Sequence, residues 1–284
     1  MKLPKIQLFR KRGIWPRKVL QFFFFSLIAL ISVNHTLVRN YGGGISFLSN
    51  ASLHALCPFG GVETMVQLLT AGTLIQKVRA SSVILLDLVL LLSLLLGPVF
   101  CSWVCPLGTI QEWMGKLGRK WFGNKLYNHF IPGRLDSILR YLRYGVLAWV
   151  LYVTFNSASL VFQNYDPYFA LFNFWTGEVT ITALLILEIT LLLSLLVERP
   201  WCKYACPFGA LLGVTNLFRV FTIRRNDDTC LHHGNACAII CPMNIPVNTM
   251  TVIRDHQCIT CLECTSEACC PAKETVTLAM GGMK

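Results

Sequence analysis

Two stretches decide the reading: Gly97-Pro-Val-Phe-Cys-Ser-Trp-Val-Cys-Pro-Leu-Gly108 and Glu198-Arg-Pro-Trp-Cys-Lys-Tyr-Ala-Cys-Pro-Phe-Gly209. Both spell aromatic-Cys-x-aromatic-x-Cys-Pro-x-Gly, and each closes a long apolar run. Cysteines four apart on a helix share one face about a turn apart. The proline behind the second cysteine ends or kinks the helix. A matched pair of such ends predicts that Cys101, Cys105, Cys202 and Cys206 converge as one four-thiolate site at the inner surface. That donor set suits an iron–sulfur cluster. Helix-packing cysteines and redox-active thiols compete with that reading, and a permanent disulfide is disfavoured on a reducing side.

Outward from the motifs, four runs are long enough to cross a hydrocarbon core of ~30 Å: Val19–Val38, Ser82–Phe100, Tyr144–Phe162 and Val179–Val197. The chain of 284 residues is 54% hydrophobic and 14% charged, against roughly a quarter charged in soluble domains. The net charge of +11 does not point to nucleic acid, because Lys and Arg flank the apolar runs as topology signals and lipid-phosphate contacts do. Lys2, Lys5, Arg10, Lys11, Arg12, Arg17 and Lys18 precede the first run. Lys116, Arg119, Lys120, Lys125, Arg134, Arg140 and Arg143 separate the second from the third, and residues 163–178 hold no Lys or Arg. The positive-inside rule then predicts a multi-pass protein of the cytoplasmic membrane with both termini in the cytoplasm. The first run lacks a small-residue cleavage site and reads as an anchor. Val62–Lys77 is amphipathic and reads as a helix along the outer surface.

Each half reads as helix out, Pro-containing outer turn, helix in, C-x3-C-P, with Cys57-Pro58-Phe59 echoed by Asp166-Pro167-Tyr168. This is a parallel repeat about an axis normal to the membrane. Asp87 and Glu188 each lie fourteen residues ahead of the first motif cysteine, within apolar runs. Acids at such depth are costly and usually have a task. Both are candidate proton acceptors in quinol oxidation; pairing of Asp87 with Arg79 and a helix-contact role for Glu188 are the alternatives. His54 and Glu63 flank Cys57 and are either quinone-headgroup residues or ordinary loop polarity.

After Arg224-Arg225 no spanning run remains, and eight of the thirteen cysteines follow. The pattern to compare is a doubled C-x2-C-x2-C-x3-C-P, in which three cysteines of one motif share a cluster with the fourth of the other. Cys258, Cys261 and Cys264 with Cys241, which precedes Pro242, complete one [4Fe–4S] set. Zinc is the competing reading. A second set is irregular: Cys230, Cys237 and Cys270 supply three ligands, with Cys269, His232 or His233 as a fourth, and Gly234 stands where a middle cysteine belongs.

The expected fold is mainly α. It comprises a basic cytoplasmic N-terminus (1–18), a four-helix transmembrane bundle (19–221) and a small α+β ferredoxin-like domain (222–284). With the two C-x3-C-P motifs, the Cys57-Pro-Phe-Gly-Gly-Val-Glu63 turn and the C-terminal cysteines, the chain resembles the NapH-type membrane quinol dehydrogenases and their polyferredoxin-like relatives. The resemblance implies [4Fe–4S] clusters that exchange electrons between quinone or quinol and a partner oxidoreductase. A maturation factor that reduces metal or thiols, and a redox-sensing regulator, remain as alternatives. The irregular first ferredoxin motif departs from the family pattern and leaves the cluster number open. No nucleotide-binding glycine fingerprint and no C-x-x-C-H haem motif occurs, so catalysis by the chain itself is confined to quinone redox chemistry.

Overall fold

The computed structural model describes residues 15–41, 59–62, 64–65, 80–157, 161–174, 179–227, 236–266 and 275–280. Cys57, Cys230, Cys269, Cys270, His54, Glu63, Arg79, His232, His233 and most of 62–77 lie outside the described residues.

The first helix, α1 (Trp15–Tyr41), carries Pro16 in its opening turn, where a missing N–H costs nothing, and is otherwise free of breakers. Helix α2 (Ala80–Leu96) stops at Gly97, whose φ of 89° needs glycine. A Cβ at Gly97 would also collide with the side chains of Thr260 and Asn216. The chain then makes one π-turn, Phe100–Val104, and restarts as α3 (Pro106–Leu126), which Gly123 interrupts at φ 75°. Next come α4 (Gly133–Leu139), α5 (Leu142–Ser157), the short α6 (Pro167–Asn173) and α7 (Ile181–Ser194). The second repeat copies the first: Arg199 sits at φ 53°, a π-turn covers Trp201–Ala205, and α8 (Pro207–Leu217) follows.

Two stretches, 15–38 and 133–156, are helical, long and apolar enough to cross a membrane, whereas Ser82–Leu96, Ile181–Ser194 and Pro207–Leu217 are shorter apolar helices. Two of the expected spans are thus truncated by the backbone breaks at Gly97 and at Leu195–Arg199. The architecture is mainly helical with a small antiparallel sheet.

Those breaks turn the chain back on itself. Leu107 near the start of α3 packs with Ala183 and Leu187 of α7. Eleven residues later, Gly118 meets the Leu195 carbonyl so closely that no Cβ would fit. The two helices therefore run side by side in the same direction. In the other half, Phe208 stacks edge-on to Phe59, beside Gly61, which abuts Ser82 and Leu86. Further along, Thr215 shares a 2.7 Å hydrogen bond with Ser93, so α8 runs parallel to α2. Both C-x3-C-P segments consequently climb back alongside the apolar helices. Cys105 packs against the cluster that holds Leu187, about 10 Å short of the C-terminal end of α7 at 1.5 Å per residue.

The C-terminal domain is a three-stranded antiparallel sheet in the order β2 (Val252–Ile253), β1 (Phe221–Arg225), β3 (Val276–Met280). Ile223 pairs with Ile253 on one side and Leu278 on the other. These residues are buried in one cluster with Met243, Ile245, Cys258 and Cys264, against which Cys237 of the short helix α9 (Ala236–Ile239) packs. Buried polar side chains tie the domain to the helical ends. Asn216 donates to the carbonyls of Asp255 (2.6 Å) and Cys258 (3.1 Å). Asn128 donates to Pro242 O (3.2 Å), and Arg143 to His256 O (2.8 Å).

Candidate functional site

The described cysteines fall into two groups. In the helical region, Cys101, Cys105, Cys202 and Cys206 are within electrostatic reach of one another. The two π-turns are superimposable in their last step: Cys105 has φ −63°, ψ 115° and Cys206 has φ −69°, ψ 113°. Each thereby becomes the N-cap of the following helix. The Cys206 sulfur accepts from Gly209 N at 3.3 Å, and Cys105 is met by the backbone N–H groups of Gly108 and Leu107. Two helix N-termini, each with its partial positive charge, therefore converge on the thiols, which favours an anionic group there. A cavity of about 60 Å³ borders Cys105, Cys202 and Cys206, walled by aromatic rings including Phe59, Phe100, Phe162 and Trp201. Asp166, at the N-cap of α6, is the carboxylate on its wall.

In the C-terminal domain, Cys241, Cys258, Cys261 and Cys264 line a second, largely apolar cavity with Ile223, Met243 and Ile245. Cys237 lies within electrostatic reach of Cys264. Burial pushes the Cys241 thiol up to about 12, against the pull of N–H groups from Ile245 and Met243. Burial raises Cys261 as well, with Arg17 opposing it. Arg219, 1% exposed, donates to the Cys258 sulfur at 3.7 Å and to Thr260 Oγ1 at 3.2 Å, and it also bonds the Ile253 carbonyl.

Four thiols, inward-facing N–H groups and an apolar wall fit a [4Fe–4S] core in each group. Among the described residues no three His, Cys, Asp or Glu side chains stand close enough to hold a single ion. A zinc would need thiolates all within ~2.3 Å of one atom, whereas a cluster puts its own iron and sulfide between them.

A buried polar chain joins the two groups. Arg199 donates to the Cys101 carbonyl at 2.6 Å and to Glu112 at 2.7 Å. Glu112 in turn pairs with Arg17 at 2.7 Å, and Arg17 pairs with Glu263 at 2.9 Å and donates to the Cys261 carbonyl at 3.1 Å. Gln21 braces the middle, donating to Glu112 (3.0 Å) and Ser102 O (2.9 Å). Burial pushes the Glu112 carboxyl up, but Arg199, then Arg17 and Lys116, overcome it and hold the group well below the usual carboxylate range. Trp103 adds a direct link, donating to Thr260 O at 3.2 Å. Sequence reasoning missed Arg199, Glu112, Arg17 and Asp166. Asp87 and Glu188 are exposed on the outer sides of α2 and α7, away from the thiols.

A family profile described as a 4Fe-4S binding domain matches residues 78–125 and 179–226, the two repeats that carry the π-turns. YccM of Escherichia coli, named as a candidate electron transport protein, is 34% identical over 78% of this chain and 62% of its own length. An uncharacterized protein of Methanocaldococcus jannaschii is 34% identical over 74% of this chain and 82% of its own. The ferredoxin-type protein NapH of Haemophilus influenzae is 30% identical over 62% of this chain and 61% of its own. The chain belongs to the NapH-like polyferredoxin family. Two of these relatives carry names of electron-transport or ferredoxin-type proteins. The two matched segments of this chain contain Cys101 and Cys105 in the first and Cys202 and Cys206 in the second. The matched segments span about three fifths of YccM and of NapH. No solved structure matches.

Proposed function

We propose that the protein spans the cytoplasmic membrane and passes electrons between the quinone pool and a partner oxidoreductase. The observation that carries this reading is the buried chain Cys101–Arg199–Glu112–Arg17–Cys261, which fixes two thiol groups on one rigid scaffold, one deep among apolar helices and one in a surface domain. Bound there, [4Fe–4S] groups would supply one-electron steps, which lets a two-electron quinol be emptied singly.

The chain's own residues have distinct tasks. Cys101, Cys105, Cys202 and Cys206 would hold the deep group, and Cys241, Cys258, Cys261 and Cys264 the C-terminal one; Cys237, Cys230, Cys269 and Cys270 are the residues for a further one. The dipoles of α3 and α8 offset the negative charge of the deep thiolates. At about 60 Å³, the aromatic cavity is smaller than the ~150 Å³ void that takes up benzene. A quinone ring therefore meets the rim of this cavity rather than being enclosed by it. Protons released there go to acids of the helical region, for which Asp166 on the cavity wall and the lipid-facing Asp87 and Glu188 are the candidates.

Anaerobically purified protein is the test material. Iron and sulfide content together with EPR-detected reduction by a short-chain quinol support the reading. Iron-loaded protein that no quinol reduces and no quinone oxidises removes the quinone step, and iron-free folded protein removes the whole proposal.

A further inference from the structure

A cavity of about 180 Å³ lies where α1, α3 and the C-terminal domain meet. Five Lys and Arg residues against three Glu line it, leaving two positive charges. Lys18 is exposed and Lys116, paired with Glu112 at 3.0 Å, is half exposed on the rim, while Arg17 is 3% exposed on the wall and its Nε has no hydrogen-bond partner among the described residues. The opposite wall belongs to the C-terminal domain, through Pro242, Ile259 and Cys261.

Apolar surface leads away from this basic pocket. Trp15, Val19, Phe22, Leu30, Val33 and Leu37 are exposed along one stripe of α1, beginning within a turn of Arg17 and Lys18. On α3, Trp113, Leu117 and Trp121 are exposed beside Lys116 and Arg119. Tryptophans of this kind gather at the level of lipid headgroups. A soluble acidic partner would match the charge but would leave the stripe uncovered; a lipid matches both.

We infer that this cavity binds the phosphate headgroup of an anionic phospholipid, with its acyl chains laid along the exposed stripe of α1. The inference rests on the membrane reading above. Two net positive charges suit a phosphodiester, and basic pockets between helices on the cytoplasmic side favour such headgroups. A headgroup there touches α1 and α3 on one side and the cysteine loop on the other. It thus holds the electron-carrying domain against the membrane helices.

The test uses full-length protein in lipid nanodiscs with equal phosphatidylglycerol and phosphatidylcholine, read by native mass spectrometry of retained lipid. The expected result is retention of phosphatidylglycerol several-fold above phosphatidylcholine. The double substitution Lys18→Gln, Lys116→Gln brings phosphatidylglycerol retention down several-fold, to the level of phosphatidylcholine. Lys120→Gln, a charge change on α3 away from the cavity, leaves it unchanged. Unaltered iron content and circular dichroism establish that the double variant is folded. Equal retention of both lipids overturns the inference, as does a double variant that keeps the preference. Displacement of phosphatidylglycerol by millimolar inorganic phosphate points to a free-anion site, and Lys18-dependent capture of an acidic redox protein without lipid preference points to a docking surface; either overturns it. Carbonate extraction separates the two failures: protein that resists extraction yet shows no lipid preference refutes the lipid site alone.

Discussion

Glu112→Gln is the substitution that best probes the link between the two thiol groups. The carboxylate is 3% exposed and sits between Arg17, also 3% exposed, and Arg199, 1% exposed. The amide is isosteric and keeps a hydrogen bond to one guanidinium, but the charge is lost. Removing one partner of a buried pair costs about 3–5 kcal/mol, because the remaining charge is left uncompensated. Arg17 retains Glu263 at 2.9 Å, so the damage concentrates on Arg199 and the lower end of about 3 kcal/mol is expected. For a chain of this length that corresponds to a fall of about 6–12 °C in the unfolding midpoint. Scanning fluorimetry under anaerobic conditions measures it. Arg199→Met combined with Glu112→Gln recovers much of the loss, since replacing a whole buried pair is far less costly than breaking it. The pH dependence has a fixed sign. A carboxyl held below its unfolded value adds stability that is fully present above about pH 4.5 and is lost as pH falls from there. Wild type therefore loses more stability than Glu112→Gln between pH 6 and pH 4. A single variant that melts within 2 °C of wild type, or a double variant that is additively worse, refutes the reasoning.

Three further outcomes follow from the packing. Gly118→Ala drives a methyl into the Leu195 carbonyl and destabilises by about 1–3 kcal/mol, whereas Gly145→Ala in α5 meets open space and gains about 1 kcal/mol of helix propensity; thermal melts of the pair show opposite shifts. Cys206→Ala lowers bound iron while leaving the EPR signal of the C-terminal group in place, and Cys241→Ala lowers bound iron while removing that signal. Arg219→Met strips donors from Ile253 O, Thr260 and the Cys258 sulfur, costing about 2–3 kcal/mol and lowering iron retention, as counted colorimetrically after gel filtration.

The motif cysteines were legible because their chemistry is written locally. Four-residue spacing, a following proline and a duplicate 101 residues on need no knowledge of the fold. Crossed pairing of Cys241 with Cys258, Cys261 and Cys264 is read from local spacing in the same way, and the structure places these four around one cavity. The helix breaks were the part not read. An apolar run reads as one continuous helix up to Phe100, although Gly97-Pro98 and Arg199-Pro200 were visible as breakers. Reading them as full reversals would have set the thiols among the apolar helices and drawn the second outer turn, with Asp166, into contact with them. The polar network was beyond sequence reasoning. Arg17, Glu112, Arg199 and Glu263 are each ordinary charged residues, separated by 87 to 95 positions for the two Glu112 pairs, and only the folded chain shows that they meet.

The asymmetry between the two repeats carries a physical consequence. Gly97 and Glu198 occupy matching places, as do Pro98 and Arg199, so only the second half brings charge to the break. In the first half the reversal is made by glycine, whose missing side chain lets Thr260 and Asn216 of opposing segments approach the backbone. In the second half the reversal is made by Arg199, held at φ 53°. A non-glycine residue in that region is strained by about 1–3 kcal/mol, and its hydrogen bonds to Cys101 O and Glu112 offset that cost. Arg199→Gly relieves the backbone but removes the bridge, so the variant loses stability despite its easier turn. Arg199→Lys keeps a charge but not the two-pronged reach from Cys101 to Glu112. If backbone strain dominated, the glycine variant would be the more stable of the two; with the bridge dominant, lysine melts above glycine and both melt below wild type.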